Sequence, residues 1–123
     1  MATNYQRGRA LEYRAQAALI ADGYYAQRSP GSKGIADILA VKKGQALFVQ
    51  CKRGTGQMLS AADWNELVAT AARHGGLPVY CEATPGGQLW WWLLTGPRQP
   101  RQRANLPREQ WWPDFADRPG GAP

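Results

Sequence analysis

The sequence predicts a mixed α/β domain, a five-stranded sheet flanked by helices in the order α-β-β-β-α-β-β. Three observations predict it. Apolar residues recur at helical spacing in two segments. Five short runs rich in Val, Ile, Leu, Phe and Trp are separated by turn residues. The 123 residues are enough for one domain and too few for two ordinary ones.

Residues 5–22 form the first predicted helix, with Leu11, Ala15, Ala18 and Leu19 on one stripe and Gly23 as its C-terminal stop. Tyr24 to Arg28 reads as a short strand. Ser29-Pro30-Gly31-Ser32-Lys33-Gly34 is a loop dense in turn residues. Ile35 to Val41 and Ala46 to Lys52 are two strands joined through Lys42-Lys43-Gly44-Gln45, short enough for a hairpin. Ser60-Ala61-Ala62-Asp63 opens a second helix that runs to about His74, with Trp64, Leu67, Val68 and Ala71 on one face. His74 sits where a histidine serves a helix C-terminus rather than catalysis. Gly75-Gly76 ends the helix. Leu77 to Glu82 and Gln88 to Leu94 complete the strands around a Pro-Gly-Gly turn. In Trp90-Trp91-Trp92 the middle ring must point opposite to its neighbours, into core on one face at least.

Composition shifts near Thr95. Six of the nine prolines and five arginines follow it, so residues 1–95 read as the folded domain and 96–123 as an irregular tail. Trp111, Trp112 and Phe115 make that tail a segment that docks on the domain or on a partner subunit. No apolar run approaches a membrane span, and the N-terminus has no apolar signal region. Cys51 and Cys81 read as two buried free thiols in a reducing compartment, which implies a cytoplasmic protein. With no CxxC and one histidine, a zinc site is disfavoured. A net charge of +6 favours a polyanionic partner, with a basic surface that serves solubility alone as the alternative.

The hairpin gives the sharpest local inference. If Val41 pairs with Ala46, Leu39 faces Phe48 and Asp37 faces Gln50. Gln50 and Lys52 then share a face with Asp37 by the pleat. Buried charges must be paired or coordinated. An Asp37–Lys52 ion pair at a sheet end is one reading. A magnesium site for phosphodiester hydrolysis is the other, because Mg2+ takes carboxylate, amide and water oxygens. In that reading Asp37 is a direct ligand, Gln50 offers its amide oxygen, and Lys52 holds or deprotonates the attacking water. Glu12 binds the metal directly or through water.

Asp37, twelve residues, then Gln50-Cys51-Lys52 resembles the PD-(D/E)XK nuclease signature. Gly8 and Glu12 on the first helix, Gly23-Tyr24 and the Arg28-to-Gly34 loop ahead of Asp37 narrow the likeness to archaeal-type Holliday junction resolvases. It runs over roughly residues 5 to 82. The resemblance implies a restriction-endonuclease-like fold, a homodimer and a branched double-stranded DNA substrate. It also implies Mg2+ as cofactor, with Mn2+ able to substitute. Glu12, Asp37 and Gln50 become metal-site residues, Lys52 the catalytic lysine, Ser32 a loop serine needed for activity and Arg28 a contact to DNA backbone. The resolvases usually carry Glu where this chain has Gln50, whereas Mrr-type restriction nucleases are similar in having Gln-x-Lys. Among the basic residues around the site, Arg7, Arg9, Lys33 and Arg53 are candidate phosphate contacts. A solvated charged surface is the alternative, and it suits Lys42-Lys43 at a turn. A nicking or restriction-like nuclease and an inactive DNA-binding module are the rival functions.

Overall fold

The computed structural model describes residues 4–29, 34–52, 59–84 and 86–111, with side chains from Arg9 onward. Helix α1 (Asn4–Ala21) presents Leu11, Ala15 and Leu19 at four-residue spacing, and all three are buried. It ends in a Schellman motif. Gly23, at φ +97°, donates to Ile20 O, and Tyr24 N reaches back to Leu19 O at 2.9 Å. Helix α2 (Ala61–Arg73) starts at Ser60, whose hydroxyl accepts from Asp63 N at 3.1 Å. It stops the same way at Gly75, φ +73°, with Gly76 N on Ala71 O at 2.8 Å. His74 is its C-cap and stacks on Phe48.

The strands are β1 (Tyr25–Arg28), β2 (Ile38–Lys42), β3 (Gln45–Lys52), β4 (Leu77–Ala83), β5 (Leu89–Leu94) and β6 (Arg108–Gln110). They lie in chain order in one sheet. All neighbours are antiparallel except β3 and β4, which run parallel because α2 carries the chain between them. Alternation assigns the two faces. Val49, Leu47, Ile38, Ala40, Val79, Cys81 and Trp91 pack with Ala15 and Leu19 of α1. Phe48, Tyr80, Trp92 and Leu94 pack with Trp64 and Leu67 of α2. The molecule is therefore one sheet between two helices. Trp91 is buried on the α1 face and its two neighbours sit on the other, as the pleat requires. Leu39 and Val41 stay exposed because α2 covers β3 and β4 rather than β2. No helix among the described residues is long and apolar enough to cross a membrane.

Three features of the strands differ from the sequence expectation, the first being that the strand expected from Ile35 begins at Ile38. The β2–β3 turn is shorter, since Lys42 pairs with Gln45 and only Lys43 and Gly44 turn, both at positive φ. That two-residue turn matches the strand twist. The sheet also has six strands rather than five. The sixth lies beyond the boundary placed at Thr95, inside the segment read as an irregular tail. Arg-Glu-Gln has no apolar alternation, and its pairing comes from Trp92, Leu93 and Leu94 of β5.

Residues 96–111 pack on the domain. Trp64 Nε1 donates to Gly96 O at 2.9 Å. Asn65 and Arg98 exchange two hydrogen bonds, at 2.7 and 2.9 Å. The Arg98 side chain is buried, donates to Leu59 O and Gln102 O, and lies over the Trp64 ring. Trp111 meets Trp91 and Tyr24 edge-on. Trp112 and Phe115 lie outside the described residues. A buried cation satisfied by carbonyls leaves them orphaned when removed. Arg98→Met is expected to lower unfolding stability by about 2–4 kcal/mol, measured by urea denaturation; an unchanged midpoint would show that the segment merely rests on the surface.

Candidate active site

The C-terminal ends of β1 and β3 and the start of β2 meet at one end of the sheet, beside the middle of α1. The hairpin register holds as expected at Val41↔Ala46 and Leu39↔Phe48. It changes at the last step. The ladder ends at Ile38↔Val49, yet Asp37 N also donates to Val49 O at 2.8 Å. Two residues on the β2 side oppose one on β3, which is the arrangement of a β-bulge. Asp37 therefore does not take the ladder position opposite Gln50 that alternation alone gives. Its carboxylate Oδ2 instead accepts from Cys51 N at 2.8 Å, and its carbonyl accepts from Ser29 N at 2.8 Å.

Glu12 joins this end of the sheet from α1. Its Oε1 pairs with Arg28 Nη2 at 3.3 Å, and the Arg28 guanidinium lies over the Tyr13 ring, 4.1 Å from its centroid. Asp37, Glu12 and Arg28 thus form one charged group. Gln50 and Lys52 flank Cys51 on β3, on the face of Phe48 and Tyr80 by alternation. Asp37 makes no ion pair with Lys52 among the described residues, so the pairing reading of the hairpin has no support here. Arg9 is exposed on α1. Ser32, Lys33 and Arg53, and the Arg7 side chain, lie outside the described residues.

Two observations test whether these groups suit a hard cation. Gln50 Oε1 is buried and has no hydrogen-bond donor among the described residues. A buried amide oxygen costs free energy until a donor or a cation meets it. Asp37 is also held back from ionising, its carboxyl pushed up from 3.8 to about 6. Burial is the main cause. The Glu12 charge adds to it, while the Cys51 N–H and Arg28 oppose it. Oxygen donors with a desolvated carboxylate fit Mg2+ in kind. Among the described residues no three His, Cys, Asp or Glu side chains cluster as a metal site. Burial raises both thiols, Cys51 and Cys81, which face each other across β3 and β4. Both are free and neutral, so they add no charge beside Asp37.

Sequence reasoning did not anticipate Tyr13 as the platform for Arg28, nor Glu82. Glu82 is the register neighbour of Lys52 and accepts from Trp92 Nε1 at 3.0 Å. The single signal for either was an aromatic or an acid next to a motif residue.

Over residues 3–91 the sequence matches the family described as archaeal Holliday junction resolvase, Hjc. The chain belongs to that family. The matched span contains Glu12, Asp37, Gln50 and Lys52 and ends inside β5, so β6 and the Arg98 segment lie beyond it. A crossover junction endodeoxyribonuclease Hjc from Methanocaldococcus jannaschii is 31% identical over 80 residues, 63% of this chain and 59% of that one. The chain thus matches about three fifths of that relative's length. The solved structure of Archaeoglobus fulgidus Hjc, described as a Holliday junction resolvase from an archaeal hyperthermophile, matches with a TM-score of 0.60 at 21% identity. It covers 74% of this chain and 72% of that one. At that identity the likeness establishes the shared mixed α/β fold.

A carboxyl whose folded pKa lies above its unfolded value keeps its proton longer in the folded state. The stability linked to Asp37 is complete below its unfolded value of 3.8 and is lost as pH rises through about 6. Asp37→Asn removes the ionisation and keeps an oxygen for Cys51 N–H. In metal-free buffer this variant should melt like the wild type near pH 4 and be stabilised by about 1–2 kcal/mol near pH 7.5, after allowance for partial exposure. Parallel melting curves across that range would contradict a desolvated Asp37.

Proposed function

We propose that this Hjc-family protein is an Mg2+-dependent endonuclease that resolves four-way DNA junctions, with Mn2+ able to replace Mg2+. The observation that supports the proposal is the tethering of a desolvated Asp37 to the end of β3 through Cys51 N–H, within the electrostatic reach of Glu12 and Arg28, inside the family-matched span that also holds Gln50 and Lys52. Asp37, Gln50 and Glu12 would hold the ion. When bound, Mg2+ supplies a Lewis acid for the phosphoryl oxygens and lowers the pKa of a water. Lys52 orients the attacking water and offsets negative charge that develops on the phosphate. The Cys51 N–H holds the Asp37 carboxylate in place, so the ligand need not reorganise.

Backbone and shape carry recognition in this reading, through basic residues such as Arg9 and Arg28. Arg7, Lys33 and Arg53 are proposed to extend the phosphate track, and Ser32 to act from its loop. Paired cuts on a two-fold substrate call for two sites, so the working form is a homodimer, checked by sedimentation.

A panel of four-way junction, flap and linear duplex, each with Mg2+, tests the activity. Junction cleavage should exceed duplex cleavage. Asp37→Asn and Lys52→Ala should each cut the rate by at least about a hundredfold. Equal cleavage of linear duplex would remove the resolvase reading in favour of another nuclease of this fold. Cleavage indifferent to both substitutions would remove the site.

Gln50 sets a second expectation. Restoring a carboxylate with Gln50→Glu adds one negative charge to the site. It should lower the Mg2+ concentration needed for half-maximal cleavage by several-fold, on the order of the 1–2 kcal/mol of a charge-assisted contact. An unchanged or raised Mg2+ requirement in a folded protein would argue against Gln50 as a ligand.

A further inference from the structure

The Glu12–Arg28 pair has features unlike a permanent structural bridge. It consists of one contact at 3.3 Å, rather than the two parallel bonds that a guanidinium and a carboxylate form at their best. The two side chains are about one fifth exposed, at 22% and 21%, so neither is sealed away. Arg28 Nε is buried with no acceptor among the described residues. The guanidinium is otherwise held by the Tyr13 face, a contact that leaves its N–H groups unused. Arg28 is thus a cation with one buried donor, Nε, without an acceptor among the described residues, beside a carboxylate that a metal would also claim.

We propose that Arg28 and the divalent cation are alternative partners of Glu12, so that metal loading frees Arg28 to bind a backbone phosphodiester. The inference rests on the metal-site reading above and adds a coupling to it. A carboxylate oxygen that coordinates Mg2+ has less charge left for a guanidinium, and two cations crowd each other at one acid. A released guanidinium finds in a phosphodiester an anion that takes its fork bidentately. The coupling is reciprocal. Phosphate capture of Arg28 frees Glu12 for metal, so DNA raises metal affinity by the same factor that metal raises DNA affinity. Arg28 is a positioning residue in this scheme. Asp37 feels both partners, with Glu12 raising and Arg28 lowering its pKa, so the exchange occurs within reach of the ligand set.

A double-mutant cycle reads the exchange without cleavage. Wild type, Glu12→Gln, Arg28→Met and the double variant are titrated against a fluorescent four-way junction in EDTA. Glu12→Gln releases Arg28 without metal, and should tighten junction binding by about threefold or more. That gain should vanish in the Arg28→Met background. In wild type, non-cleaving Ca2+ should tighten binding in the same way, and Arg28→Met should abolish the Ca2+ effect. Equal gains from Glu12→Gln in both backgrounds would mean simple loss of a negative charge, and would overturn the proposal. So would an absent gain. If Arg28→Met fails to fold, as judged by circular dichroism, Arg28→Gln replaces it in the cycle.

Mn2+ titration of the DNA-free protein separates the two levels of the argument. If wild type binds Mn2+ and Asp37→Asn does not, an additive cycle refutes the coupling alone. If Asp37→Asn leaves Mn2+ binding unchanged, the metal-site reading fails and the coupling falls with it.

Discussion

The site depends on one hydrogen bond, from the backbone N–H of Cys51 to the carboxylate of Asp37. It joins the start of β2 to the end of β3 beyond the point where their ladder stops. Both strands are anchored elsewhere. The two-residue turn at Lys43-Gly44 fixes their register, α1 packs on both strands, and α2 covers the opposite face of β3. The bulge at Asp37 and Ile38 then lets the acid leave the alternation and reach across the strand end. With Asp37 held there, burial and the Glu12 charge act on it, and its proton affinity rises. Packing of a hairpin thereby becomes the chemistry of a carboxylate.

The same end of the sheet shows how charge is arranged around that acid. Two carboxylates in one place would repel, and Arg28 relieves the repulsion by pairing with Glu12. The resolvases that the sequence resembles usually carry Glu where this chain has the amide of Gln50. Among the described residues the amide oxygen has no donor, an unfavourable state for a buried polar atom unless something binds it. A site with fewer fixed negative charges attracts a cation less, so the organisation of the remaining oxygens matters more. In the metal-site proposal, the backbone tether on Asp37 supplies that organisation.

The far edge of the sheet has a different role. Past the family-matched span, the chain turns at Gly96, buries Arg98 against α2 and returns as β6. Trp64 is the hinge of this arrangement. It is buried in the α2 core, donates to Gly96, carries the Arg98 cation on its face and meets Tyr80. The segment holds α2, and α2 holds the face of the sheet that bears Gln50 and Lys52.

Much of this was legible in the residues. Both helices and their glycine stops, the β2–β3 register at Leu39 and Val41, and the split facing of the three tryptophans follow from periodicity and turn chemistry. These signals are local, set by spacings of two and four residues along the chain. The Asp37 and Gln50-x-Lys52 spacing, with Gly8, Glu12, Gly23-Tyr24 and the Arg28-to-Gly34 loop ahead of it, was enough to suggest the family. Other features had no local signal. β6 is strand because β5 offers it an edge, since its own three residues carry no pattern. Alternation put Asp37 opposite Gln50, while the folded chain bulged there and gave Asp37 to Cys51. Helix spacing alone could not bring Glu12 to the sheet. The packing of Ala15 and Leu19 on β2 and β3 does that, and Arg28 meets Glu12 as a consequence. The sequence by itself determined the helices, the hairpin register and the candidate site residues, because residue type and spacing are written along the chain. Only the tertiary structure decided which of them meet and how their charges shift, because burial and long-range contact arise when separate segments share one end of a sheet.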